Sequence, residues 1–165
     1  MRRRTLDGLD HASPAELLQR RTDGRVKMFV MLQALKARAE FRELYEDGEY
    51  VALDALGARR ECLFAFARTR SGAERELRAM TITCVPRLAA SLVPDGSPPV
   101  GTYVWKDTRV ELPRLSSYDP ANMSPFRNIF TGETIVPEHD GRGLSIAAAT
   151  LFDQFPVAVL VPCST

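Results

Sequence analysis

The sequence predicts a mainly β fold, a small antiparallel β-sandwich preceded by two α-helices, and three observations carry that reading. Apolar residues fall at helical spacing before Gly48, whereas after it they alternate or form short runs broken by Gly and Pro. The chain of 165 residues is one domain's worth, enough to bury a single core without metal or disulfide staples. No internal repeat and no long low-complexity tract interrupts it. Residues 1–47 therefore read as a helical lead-in and residues 48–165 as one antiparallel β-domain.

Taken in order, Ser13-Pro14-Ala15-Glu16 reads as a helix start: the serine caps, proline takes the first helical position, and the glutamate reaches back to complete a capping box. That helix runs to about Arg20. Asp23-Gly24 opens a longer helix in which Val26, Met28, Phe29, Met31, Leu32 and Leu35 form a broad apolar face, with Lys27, Gln33, Lys36, Arg38 and Glu40 outside it. A face this wide requires a sizeable partner surface. Strands follow at 49–54, 62–68 and 80–85, with a turn at 70–73 between the last two. Residues 93–101 hold three prolines and two glycines, which excludes regular structure and marks a loop. Further strands are expected at 109–112, 133–136, 144–147 and 157–161, and Phe64, Phe66, Phe130, Phe152 and Phe155 are expected in the core.

Charge and cysteine usage narrow the function classes. Lys and Arg number 22 against 21 Asp and Glu, a net charge of +1, so no overall field gathers phosphate backbone or anionic lipid. Nucleic acid and membrane are not expected partners. The basic start, Arg2, Arg3 and Arg4, precedes no apolar stretch of signal or membrane-spanning length, and a cytoplasmic location is expected. Cys62, Cys84 and Cys163 lie far apart without C-x-x-C spacing and read as reduced, mostly buried thiols.

A search for chemistry that the chain performs alone finds none. The two histidines, His11 in the polar lead-in and His139 within Pro137-Glu138-His139-Asp140-Gly141, have no triad partner. Adjacent residues on a turn rarely converge on one ion, so Glu138, His139 and Asp140 read as a solvated loop rather than a metal site. Ser71-Gly72 lacks the frame of a nucleophile elbow, and Gly141-Arg142-Gly143 is too short to cradle phosphate. No carboxylate pair stands out for glycoside chemistry. No catalytic residue, metal or cofactor is expected.

Four stretches from Asp23 onward nevertheless form an ordered set. The first is Asp23-Gly24-Arg25-Val26-Lys27-Met28-Phe29-Val30 with Leu35-Lys36-Ala37-Arg38, then Phe41, Leu44, Tyr45, Gly48, Glu49 and Tyr50; the second is Leu63-Phe64-Ala65-Phe66-Ala67-Arg68. The third is Val85-Pro86-Arg87-Leu88 with Trp105-Lys106-Asp107-Thr108-Arg109-Val110. The fourth is Asn128-Ile129-Phe130-Thr131-Gly132-Glu133 with Leu151-Phe152 and Phe155-Pro156-Val157-Ala158-Val159-Leu160. Together they resemble the C-terminal end of the malto-oligosyltrehalose synthases of the α-amylase superfamily: the last barrel helix, a G-x-Y opening, an alanine-arginine strand end, V-P-R-L and W-x-D-T-R segments, and a closing phenylalanine-proline-valine-alanine strand. The proline common after that helix is absent at Phe41-Arg42, and residues 113–126 are unusually polar and proline-rich.

The resemblance implies an amylase-type C-terminal antiparallel β-domain behind two helices from the end of a (β/α)8 barrel. It implies an enzyme that moves the reducing-end α-1,4 linkage of a maltooligosaccharide to α,α-1,1 through a covalent glycosyl-enzyme. The family's catalytic acids lie on barrel strands before the position matched by Asp23, so none carries over, and the chain is expected to be a part that buttresses the barrel and is inactive alone. The barrel, in cis or as a separate chain, is the first expected partner; the alternative is a free-standing module that binds α-glucan or protein. Self-association through the helix over 26–35 is a further expectation. Trp105, flanked by Asp107 and Arg109 and widened by Tyr103, is the candidate sugar contact, against the simpler reading of an indole packed at the sandwich edge. Arg25 and Lys27 are the other candidates, against surface charge beside a helix start.

Overall fold

The computed structural model describes residues 8–9, 12–71, 77–113, 125–139, 141 and 143–163. In chain order the elements are α1 (Pro14–Gln19), α2 (Arg25–Glu40), α3 (Arg42–Glu46), β1 (Glu49–Leu53), β2 (Ala55–Leu56), β3 (Leu63–Ser71), β4 (Leu77–Pro86), α4 (Ala89–Leu92) and α5 (Thr102–Trp105). They continue with β5 (Arg109–Glu111), β6 (Phe126–Asn128), β7 (Thr134–Ile135), β8 (Glu138–His139), β9 (Leu144–Ala147), α6 (Ala148–Leu151) and β10 (Ala158–Pro162). A six-stranded sheet in the order β1-β3-β4-β10-β6-β7 faces a four-stranded sheet in the order β2-β5-β9-β8. Every strand pairing among the described residues is antiparallel.

Alternation along each strand sorts side chains to the two faces of the larger sheet. Leu63, Ala65 and Ala67 of β3, Ile82 and Cys84 of β4 and Leu160 of β10 point inward, where they pack with Val110, Ile146, Trp105 and Phe152. Burial pushes the Cys84 thiol up to about 12, which leaves it protonated and inert. Cys62 and Cys84 are buried free thiols and Cys163 is half-buried. The outer face of the same sheet meets the helices. Val159 packs there with Phe29 of α2, Phe130 and Phe155, beside Leu9 and Leu17. The three rings interlock at centroid separations of 5.6, 5.8 and 6.2 Å.

The lead-in differs in detail from its sequence reading. Pro14 starts α1, but Ser13 makes no side-chain capping bond, so the capping box is not formed. At the start of α2, Asp23 does that work, accepting the Arg25 N–H at 2.9 Å. The broad apolar face of α2 is split: Phe29 is buried, whereas Met31 is 54% and Leu35 62% exposed. Met31 and Leu35, four residues apart, share a face turned to solvent, whereas Met28 and Leu32 are half-buried and pack against the cluster around Phe29.

Other corrections concern the β-domain. Phe64 is 44% exposed and Phe66 half-buried, because they alternate with the inward Leu63, Ala65 and Ala67 and so fall on the outer face. The strand expected at 133–136 contracts to the two residues of β7, and β10 starts one residue later than expected. Residues 93–100 form no helix or strand, as their prolines dictate. β3 extends through Ser71, and the rest of the expected 70–73 turn lies outside the described residues, as do Arg2, Arg3, Arg4, His11, Asp140 and Arg142.

Gly48 shows why the chain can turn from helix to sheet where it does. A Cβ at this position would sit 2.2 Å from the Leu44 carbonyl oxygen and 3.1 Å from that of Thr69. Only glycine permits that approach. Arg68 then seals the junction, donating to the Gly48 carbonyl at 2.9 Å and the Tyr45 carbonyl at 3.4 Å. Beside it burial pushes the Tyr45 hydroxyl up, with its hydrogen bond to Thr81 and the Arg68 charge opposing.

Candidate functional site

The Trp105–Arg109 segment is a clasp between the two sheets. The indole is fully buried, lies 4.7 Å from the Phe152 ring at a 34° tilt, and donates from Nε1 to the Pro99 carbonyl at 2.8 Å. Both ring faces are thereby enclosed, and the ring offers none to a sugar. After α5 the chain reverses in a turn closed by Thr108 N–H to the Trp105 carbonyl at 3.0 Å. Lys106 takes φ 53°, ψ −126° in that turn, a conformation that glycine adopts more readily.

The residues after the turn hold the 57–60 loop. Asp107 Oδ1 accepts the Ala58 N–H at 2.9 Å, and the buried Thr108 Oγ1 accepts the Arg59 N–H at 2.9 Å. Gly57 makes the approach possible: at φ 96°, a Cβ would lie 2.7 Å from the Asp107 carbonyl oxygen and 2.8 Å from the Thr108 Cα. Arg109 follows on β5, half-buried and paired in register with Ala147 of β9. Trp105, Asp107 and Arg109 are thus brought together, with Asp107 occupied by backbone rather than turned to a pocket.

Arg25 and Lys27 lie on a different element, the first turn of α2. Arg25 Nε donates to Asp23 Oδ2 at 2.8 Å, and the backbone bond from Arg25 followed by this ion pair holds the Asp23 carboxyl below its ordinary range. Lys27 is exposed. Of the residues around His139, the described ones lie at the surface: Glu138 and His139 are exposed on β8, and His139 Nδ1 accepts the Gly141 N–H at 3.1 Å. Among the described residues no three His, Cys, Asp or Glu side chains gather in a metal-holding group.

The most conspicuous surface includes Phe64 and Phe66, which the sequence reading assigned to the core. On the outer face of the larger sheet, Tyr50 of β1 and Phe66 of β3 stack at 5.1 Å and 27°, and Phe64 lies 6.0 Å from Phe66. The register pairs Phe66 with Thr83 and Thr83 with Val159, which places this aromatic run on the face that α2 covers further along. The signal was present in Leu63–Ser71, where Arg68 shares a parity with Phe64 and Phe66 and Ala65 and Ala67 share the other. The side carrying the arginine is the less closed one.

No protein-family model matches the chain, and no curated protein matches it. Among solved structures the chain is similar to a mutant of maltooligosyltrehalose synthase from Arthrobacter ramosus, with a TM-score of 0.54 and 26% identity over 91% of this chain. The chain spans 16% of that protein's length, so its mainly antiparallel β fold is similar to one part of that synthase.

Proposed function

We propose that the chain is the C-terminal portion of a trehalose-forming maltooligosaccharide mutase, in which it buttresses a (β/α)8 catalytic barrel and is inactive alone. The observation that carries this reading is the likeness to maltooligosyltrehalose synthase over 91% of this chain. The ordered motifs from Asp23 to Leu160 support its C-terminal placement. Two open apolar surfaces support a partner: the Tyr50, Phe64 and Phe66 run and the exposed Met31 and Leu35 of α2. The barrel, supplied in cis or by a separate chain, is the occupant this reading gives them, and a cytoplasmic location accompanies it.

The test is loss of reducing ends from a maltooligosaccharide, measured with the chain alone and with a separately produced barrel half. Silence alone and activity in the mixture are expected. Activity of the chain alone overturns the reading, because the catalytic carboxylates would then lie within these residues. The second reading, a free-standing module for α-glucan or protein, draws on the same exposed aromatic run, since planar rings stack on sugar faces. It is distinguished by maltooligosaccharide binding that Phe64→Ala abolishes while the barrel half has no effect.

A further inference from the structure

The helical turns α4 and α5 border a cavity of about 470 Å³, lined in part by Arg59, Ser91, Thr102, Tyr103 and Lys106. Its volume is that of a small-molecule site. Three features distinguish it from a surface dimple. Among the described residues no acidic one lines it, although two cations do. Neither cation is paired with a carboxylate among the described residues, and Arg59 Nε is buried without a hydrogen-bond partner there. Tyr103 is 94% exposed, the most exposed large apolar side chain described, and stands at the same cavity.

The backbone around the cavity is also held in sparsely populated conformations. Leu88 and Lys106, both at φ 53°, are the non-glycine residues with positive φ among those described. Leu88 opens α4 and Lys106 closes α5, so both lie at the ends of the turns that border the cavity. Such outliers concentrate where a ligand is clamped. The neighbouring Asp107 is held by the Ala58 N–H and does not line the cavity.

We infer that this cavity binds a small ring compound carrying a phosphate, a hexose phosphate or a nucleoside monophosphate. Arg59 and Lys106 hold the phosphate, where two cations with no carboxylate partner among the described residues meet one dianion. Tyr103 supplies a face for the ring, and the hydroxyls of Ser91 and Thr102 are available to polar groups on it.

Calorimetric titration of the full chain with glucose 6-phosphate, AMP, inorganic phosphate and maltose tests this. Either ring phosphate is expected to bind, and the tighter of the two identifies the source. Binding is expected to weaken at least tenfold in Lys106→Gly and in Tyr103→Ala. The glycine variant removes the charge while relieving the backbone, so its melting temperature is expected to match or exceed that of the parent. A lost affinity then reports on the site and not on unfolding. Failure of both ring phosphates to bind overturns the inference, as does affinity unchanged in both variants. Inorganic phosphate or maltose binding as tightly as the ring phosphates overturns it too. None of these outcomes depends on a barrel half or on catalysis.

Discussion

The outer face of the larger sheet carries two aromatic groups with opposite fates. At the β10 end, Phe29, Phe130 and Phe155 close on one another beside Val159. At the β1–β3 end, Tyr50, Phe64 and Phe66 make ring contacts of similar length, 5.1 and 6.0 Å, but remain partly in solvent. Ring density and sheet face are the same in both places. The difference is the covering element: Phe29 of α2 reaches one end, and among the described residues no comparable group covers the other. An apolar cluster becomes a core only where another element brings its own apolar stripe to it.

The largest effect is expected at the closed end. Phe155→Ala removes a fully buried ring from contact with Phe29 and Phe130 and is expected to cost about 3–5 kcal/mol in urea unfolding. A cost below about 1 kcal/mol would show that α2 does not seal this end. Gly48→Ala tests the junction that delivers the helices to the sheet. The Cβ clash with the Leu44 carbonyl is expected to force a backbone shift costing about 1–3 kcal/mol, by the same unfolding measurement.

The inner face offers a control for closure, through Cys84. Its folded pKa of about 12 lies above the ordinary value of 9.0, so folded chains retain a proton that unfolded chains release between these pH values. Stability from this group is complete below pH 9.0 and falls as pH rises towards 12, at about 1.4 kcal/mol per pH unit. Cys84→Ala is expected to flatten that part of the stability curve. An unchanged slope would mean that water reaches the thiol and that the inner layer is less closed than the outer Phe155 cluster.

The sheets were legible because strand alternation is local: Leu144–Ala147 matches its expected bounds, and β3 and β4 differ by a few residues. The loop before α5 was legible from its prolines. The two- to four-residue elements β2, β8, α4, α5 and α6 carry too few residues for any period to register. Ser13 shows the same limit at one atom: the capping pattern is present, but the side-chain bond depends on a rotamer that sequence does not state. At the site, the choice between platform and packing for Trp105 turned on the Pro99 carbonyl and Phe152, the latter 47 residues away in sequence. The exposed aromatic run was hidden for the opposite reason. Hydrophobicity marks what can be buried, whereas what covers it is set by the placement of α2.

The smallest stability change, and the sharpest use of the comparison, belongs to the open end. Phe64→Ser removes a ring whose buried side touches Phe66 and whose other side already meets water. Its cost is expected to be about 1 kcal/mol or less, several-fold below that of Phe155→Ala. The same substitution, combined with Leu35→Ser on the exposed face of α2, is expected to reduce binding of an apolar dye and any rise in molecular mass with concentration by light scattering. If stability holds while both signals fall, the open end is a contact surface that the isolated chain presents to itself or to a barrel. If Phe64→Ser instead unfolds the chain as readily as Phe155→Ala, the two ends are equally closed in solution and the case for a missing partner on this face is lost.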